Sequence, residues 1–177
     1  MNIIKKYRDI ALSNDDVLRL VKGKANMLLY RNLHKFDNID DILGPYGACF
    51  LLFEWKERYG HWTLIFKVND HTLEFFNPYG GMNKGYPDEG LKHVPKNFAK
   101  RSYQDYPYLS ILMDESPYDL TYNEFPFQKY GDNIKTCGRW CSVRLLFRFL
   151  DLDEFADMFK RNDGDDLVTL LTMYINK

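Results

Sequence analysis

The sequence predicts an α+β domain, with a small central sheet of mixed or antiparallel strands flanked by helices. Three observations carry that expectation. Short runs rich in Phe, Leu and Ile between residues 48 and 77 have the length and composition of strands. From Cys137 onward apolar residues recur at spacings of three and four, as one face of a helix requires. The two kinds of run are segregated along the chain in the order helix, strands, helices, which favours α+β over an alternating βαβ pattern.

Taken in order, Ser13-Asn14-Asp15-Asp16 ahead of Val17, Leu18, Leu20 and Val21 reads as an N-cap followed by an amphipathic helix that ends near Gly23. Ile39 to Leu43 forms a second short turn before Gly44-Pro45. Ala48 to Trp55, His61 to Val68 and Thr72 to Asn77 are then expected as consecutive antiparallel strands, because the polar breaks between them are short. Pro78-Tyr79-Gly80-Gly81 stops any regular element. The segment from Met82 to Asp119 carries Pro87, Pro95, Pro107 and Pro117 and reads as loop with short helical pieces, and Leu120 to Phe127 as a further strand. A helix is expected from Cys137 to Leu150, with Val143, Leu146, Phe147 and Leu150 on one face. Asp151-Leu152-Asp153 restarts a helix through Phe155, Met158 and Phe159, and after Asp163-Gly164-Asp165 a last helix carries Leu167, Leu170, Leu171 and Tyr174.

A chain of 177 residues with no internal repeat or linker is the size of one domain, so residues 1–177 are read as a single unit. Its 45% hydrophobic content supplies a core, and the 16% aromatic share points to a core and a groove built on rings. A formal net charge of -1 argues against a global affinity for nucleic acid or anionic membrane. The first residues lack the apolar stretch of a secretory signal, and no window approaches the ~20 apolar residues of a membrane span. Cys49, Cys137 and Cys141 form an odd set, which favours a reducing compartment and free thiols over a disulfide framework. The Cys137/Cys141 spacing with no second Cys/His pair also argues against zinc, and no cofactor is expected.

Four segments carry candidate chemistry: Gly60-His61-Trp62, Phe75-Phe76-Asn77-Pro78-Tyr79-Gly80, Phe127-Gln128, and Thr136-Cys137-Gly138-Arg139-Trp140-Cys141. Together they make the parts of a thiol hydrolase. Cys137 is the candidate nucleophile, since the start of a helix favours negative charge and should lower a thiol pKa. Gly138 lets a substrate backbone approach. His61, opening a strand, is the candidate general base. On its own Asn77 reads as an Asn-Pro turn residue; beside His61 in an antiparallel pair, its carbonyl oxygen can orient the imidazole. Gln128, nine residues before Cys137, can offer its amide to an oxyanion together with the backbone N–H of Cys137. Trp62 is either a core ring or the roof of a narrow groove, and Trp140 reads as a core aromatic. Cys141 and Cys49 read as packing residues, and His34, His71 and His93 as solvated surface groups.

These motifs resemble the cysteine peptidase clan that contains the adenovirus maturation protease, the ubiquitin-like-protein proteases and the African swine fever virus polyprotein protease. The family pattern of His-Trp, then an acid or Asn followed by Pro and an aromatic-Gly, then Gln, then Cys-Gly and a helix is matched by His61-Trp62, Asn77-Pro78-Tyr79-Gly80, Gln128 and Cys137-Gly138. The match spans residues 48 to 150. Many members carry Asp or Glu at the position of Asn77, whereas the swine-fever type resembles this chain in using Asn. The stretch between Gln128 and Cys137 is somewhat longer than the family's usual spacing.

The resemblance implies a papain-like arrangement with a permuted His-Asn-Gln-Cys order. It further implies the function of a viral capsid or polyprotein maturation protease, acting on a protein or polyprotein substrate at Gly-containing sites. On this reading the chain is a monomer of the host cytoplasm or virion with no membrane partner; nothing in the sequence calls for an activating peptide or nucleic acid. Three other functions share the fold. One is removal of ubiquitin-like modifiers from host conjugates. Acetyl transfer, found in a related branch, would need a basic cofactor-binding segment that the sequence lacks. A catalytically inactive structural or interaction protein is opposed by the presence of all four chemical positions.

Overall fold

The computed structural model describes residues 2–81 and 87–176. A five-stranded mixed sheet in the order β1-β2-β3-β4-β5 forms its centre: β1 (Asn26–Leu29), β2 (Ala48–Lys56), β3 (Tyr59–Lys67), β4 (Thr72–Phe76) and β5 (Asp119–Tyr122). Strands β2, β3 and β4 form the expected antiparallel meander, while β1 joins β2 and β5 joins β4 in parallel.

Period-two alternation sends the side chains of β2 to opposite faces. Phe50 and Leu52 pack with Trp62, Leu64, Phe66 and Phe76 against α2 (Asn14–Leu20), α6 (Cys137–Leu146), α7 (Leu152–Asp157) and α8 (Gly164–Thr172). Cys49, Leu51 and Phe53 pack with Ile65, Leu73 and Phe75 against α3 (Ile39–Leu43), α5 (Tyr108–Asp114) and the 3₁₀ segment Tyr30–Lys35. Burial on both faces is why the run from Ala48 reads as continuously apolar rather than alternating.

The helix starts follow the capping chemistry in the sequence. Ser13 caps α2 in a reciprocal box with Asp16, Asp151 caps α7 with Glu154 in the same way, and Asp163 caps α8. Gly23, at φ +70°, takes the left-handed position that closes the turn after α2.

The structure differs from the sequence expectation in element ends and in two elements. The helix from Cys137 stops at Leu146 instead of Leu150, because buried Arg144 donates to the carbonyl oxygens of Phe147 (3.0 Å) and Leu150 (3.1 Å) and satisfies a non-helical turn. The strand expected over Leu120 to Phe127 ends at Tyr122, where the side chain of Asn123 takes over the pairing with the neighbouring chain. Helix α1 (Ile3–Arg8) and strand β1 were not anticipated, each being too short to show a period; α4 (Lys96–Arg101) and α5 are among the short helical pieces expected before Asp119. The expected loop residues 82–86 lie outside the described residues.

Candidate active site

His61 lies on β3 and Asn77 immediately follows β4, and the antiparallel register Leu64↔Phe76 brings their ends together. The imidazole Nε2 lies 2.8 Å from Asn77 Oδ1. The same Oδ1 accepts from the backbone N–H of Tyr79 at 3.0 Å. A backbone N–H can only donate, so the atom it meets is the amide oxygen. Nε2 must therefore carry the proton, which leaves Nδ1 as the basic nitrogen. Asn77 is itself held by Asn123, whose Oδ1 accepts from Asn77 N (3.0 Å) and whose Nδ2 donates to Asn77 O (2.7 Å).

The imidazole is 6% exposed and lies near-parallel to the ring of Tyr79, with centroids 4.4 Å apart. Tyr79 stacks in turn on Tyr130 at 4.3 Å, and Trp55 lies parallel to His61 at 6.3 Å. Burial pulls the His61 pKa down to about 4; the hydrogen bond to Asn77 opposes the fall and the charge of His93 adds to it. Asn77 supplies no negative charge to hold an imidazolium, so the base is neutral at pH 7.

Cys137 opens α6, as expected, and is half-buried. Its thiol pKa is raised, not lowered. Burial pushes it up, and the backbone amides of Trp62, Gly138 and Cys137 itself oppose the rise without cancelling it. A helix N-terminus acts on charge through partial charges of the free amides, whereas desolvation penalises the whole thiolate. The amides stay uncapped by the preceding residue, since Thr136 turns its hydroxyl to Asp165 Oδ1 (2.6 Å). Buried Asp165 also accepts from Trp140 Nε1 (2.9 Å) and the backbone N–H of Lys129 (3.0 Å). It thus clamps both ends of the loop between Gln128 and Cys137 and brings two residues nine apart into one site.

Cys137, His61, Gln128 and Tyr79 line one cavity of about 270 Å3. Beyond Cys137 it adjoins a second of about 570 Å3, walled by Trp62, Leu12, Leu52 and Arg58. Beyond His61 it adjoins a third of about 440 Å3, lined by Asn77, Thr63, Trp55 and His93. The nucleophile and base candidates therefore sit between two pockets that can take the chain on either side of a reacting carbonyl.

Gln128 is buried, with its Nε2 donating to Ile134 O (3.1 Å) and to Tyr79 Oη (3.3 Å). Its Oε1 is buried without a hydrogen-bond partner among the described residues. Trp62 is buried and still walls the pocket beside Cys137. Gly138 is buried, and a Cβ there would come within 3.2 Å of Trp62 Cδ1 and 3.3 Å of Val17 Cγ2; the close approach that glycine permits is to the protein's own side chains.

Of the other expected residues, Cys49 and Cys141 are buried packing groups, and Cys141 Sγ lies 3.4 Å from Trp62 O. His71 is exposed. His34 has partners that the sequence did not reveal, Arg31 O at 2.6 Å and the Tyr103 ring at 4.2 Å, and exposed His93 lines the pocket that borders His61. Sequence reasoning had Tyr79 as a turn residue and passed over Trp55, Tyr130 and Asn123. The one available signal was Tyr79 itself, directly after the candidate orienter and its proline. Among the described residues no cluster of His, Cys, Asp or Glu could hold a metal ion, and no helix is long and apolar enough to cross a membrane.

No protein-family model matches the chain. A relative does: the uncharacterized protein V9 of Sputnik virophage is 50% identical over 179 residues, covering 98% of this chain and all of V9. Identity at that level over the whole length means that the chain belongs to the same viral protein family as virophage V9.

Proposed function

We propose that the chain is a cysteine endopeptidase of viral capsid or polyprotein maturation, with Cys137 as nucleophile, His61 as general base, Asn77 as its orienter and Gln128 in the oxyanion site. The observation that carries this reading is the shared cavity: Cys137 and His61 line the same space, and the 2.8 Å contact of Nε2 with Asn77 frees Nδ1 for the thiol proton. The fold and the viral kinship support it.

The pKa directions make the resting pair a neutral thiol and a neutral imidazole. Proton transfer then accompanies attack. The Cys137 sulfur adds to the scissile carbonyl carbon as its proton passes to His61 Nδ1, and the carbonyl oxygen becomes an oxyanion facing the amides at the start of α6. Collapse breaks the C–N bond and the amine leaves with the proton from His61. Water, deprotonated by His61, hydrolyses the thioester and releases the acid and the free thiol.

The test is labelling with a peptide aldehyde or vinyl electrophile ending in Gly-Gly, followed by mapping of the adduct and assay against virion precursor peptides. Modification at Cys137, with cleavage abolished in Cys137→Ala and His61→Ala, is expected. Normal turnover by either variant removes that residue from the mechanism, and cleavage of ubiquitin-like conjugates in place of precursor peptides would move the substrate to host proteins.

A further inference from the structure

Tyr79 is hydrogen-bonded to Gln128 beside the proposed nucleophile and base. Gln128 Nε2 has two hydrogens, and both are engaged: one with Ile134 O at 3.1 Å, the other with Tyr79 Oη at 3.3 Å. Ile134 O can only accept, so it fixes which end of the amide is nitrogen. Tyr79 Oη is in turn the acceptor in its bond with Gln128, and its own hydrogen has no acceptor among the described residues. Tyr79 lines the cavity that Cys137 and His61 line, and so does Gln128, the residue its hydroxyl meets. We infer that Tyr79 is a catalytic residue of the proposed peptidase, its hydroxyl donating the side-chain hydrogen bond to the oxyanion, with Gln128 as the positioning residue that aims it.

The inference rests on the peptidase reading and deepens it. Three features fit the donor role. The phenol keeps its hydrogen across the working pH range, because burial and then the neighbouring Cys137 push its pKa up to about 12. Its ring is fixed between His61 and Tyr130, with near-parallel planes on both contacts, so the hydroxyl needs little reordering when charge develops. Its backbone N–H donates to Asn77 Oδ1, which ties the donor and the base to one amide. No proton is transferred from Tyr79 in the step; it donates a hydrogen bond that strengthens as the carbonyl oxygen gains charge.

The substitution that isolates the hydroxyl is Tyr79→Phe, which keeps the ring against His61. Three quantities are compared with the unaltered chain: kcat and KM on a cleavable peptide, affinity for a peptide aldehyde, whose adduct carries the oxyanion, and the rate of Cys137 alkylation by iodoacetamide, which forms none. The expected result is a kcat lowered on the order of 100-fold, as for loss of one oxyanion donor, with KM within about twofold. Aldehyde affinity should fall in parallel and the alkylation rate should hold. Gln128→Ala should act in the same direction, and the double variant should be little worse than Tyr79→Phe alone, since the two serve one bond. A kcat within a factor of about three of the unaltered chain overturns the inference. So does an alkylation rate that falls with kcat, because Tyr79 would then be acting through His61. A chain whose Cys137 resists both reagents and that cleaves no peptide overturns the peptidase reading, and the inference with it.

Discussion

At the scale of single residues, the base is the group whose chemistry the fold alters most. Burial takes the His61 pKa from its ordinary 6.5 to about 4, against the pull of Asn77. A folded pKa below the unfolded one means that the unfolded chain binds more protons between those values. Stability therefore rises with pH across the window from about 4 to 6.5 and is lost as pH falls through it, to the extent of about 3 kcal/mol for a shift this size. Denaturant unfolding at pH 4 and pH 7 measures it, and a His61→Gln variant should flatten the difference. The same depression sets the rate profile: kcat/KM should hold down to about pH 5 and its acid limb should have a midpoint near 4. Asn77→Asp would put a negative charge beside the ring, favour imidazolium and move that limb upward. A limb at pH 6 to 7 in the unaltered chain would mean an imidazole of ordinary pKa and would contradict the burial-depressed one.

At the scale of elements, what could be read from the sequence was whatever is encoded within a few residues. The β2 to β4 meander was legible from its apolar runs and short breaks, and Ser13 announced its helix by capping chemistry. The pairing of His61 with Asn77 could also be reached, because adjacent antiparallel strands put the start of one beside the end of the next. What was hidden depends on long-range partners. The β4–β5 pairing joins residues separated by most of the proline-rich segment, and Asn123 extends it with a side chain where no strand pattern exists. The direction of the Cys137 shift was hidden for a like reason: the amides are local to the helix, but the desolvation comes from elements packed over it. Asn123 lends itself to a direct test. It is fully buried and makes two hydrogen bonds to the backbone of Asn77 and one to Phe125 O. Asn123→Ala leaves those groups without partners and should destabilise the fold by about 2 kcal/mol or more. At temperatures where the variant is folded, kcat should still fall, because the orienter of His61 has lost its support; unchanged turnover would show that Asn77 holds its place unaided.

At the scale of the whole molecule, the candidate site is divided between the sheet, which supplies His61 and Asn77, and α6, which supplies Cys137. Their relative position is set by the packing of α6 on the sheet, and at the centre of that packing is a buried ion pair. Arg144 of α6 meets Glu74 of β4 in a two-pronged contact, Nε to Oε1 at 2.7 Å and Nη2 to Oε2 at 2.8 Å, with both side chains almost wholly excluded from solvent. The guanidinium also lies near the rings of Phe66 and Phe155 and bonds the carbonyls that end α6. Glu74 precedes Asn77 by three residues on the same run of chain, so the pair links the helix of the nucleophile to the strand of the orienter. Arg144→Met would keep most of the volume and strand the carboxylate of Glu74 in an apolar interior, a loss expected at about 3 to 5 kcal/mol. Adding Glu74→Leu removes the stranded charge and should recover much of that stability. It should not recover all of it, because the carbonyls of Phe147 and Leu150 still lack their donor. Denaturant unfolding of the two single variants and the double variant gives the coupling energy. Near-additive losses would mean that the helix is held on the sheet by apolar packing alone, and the alignment of thiol and imidazole would then not depend on this pair.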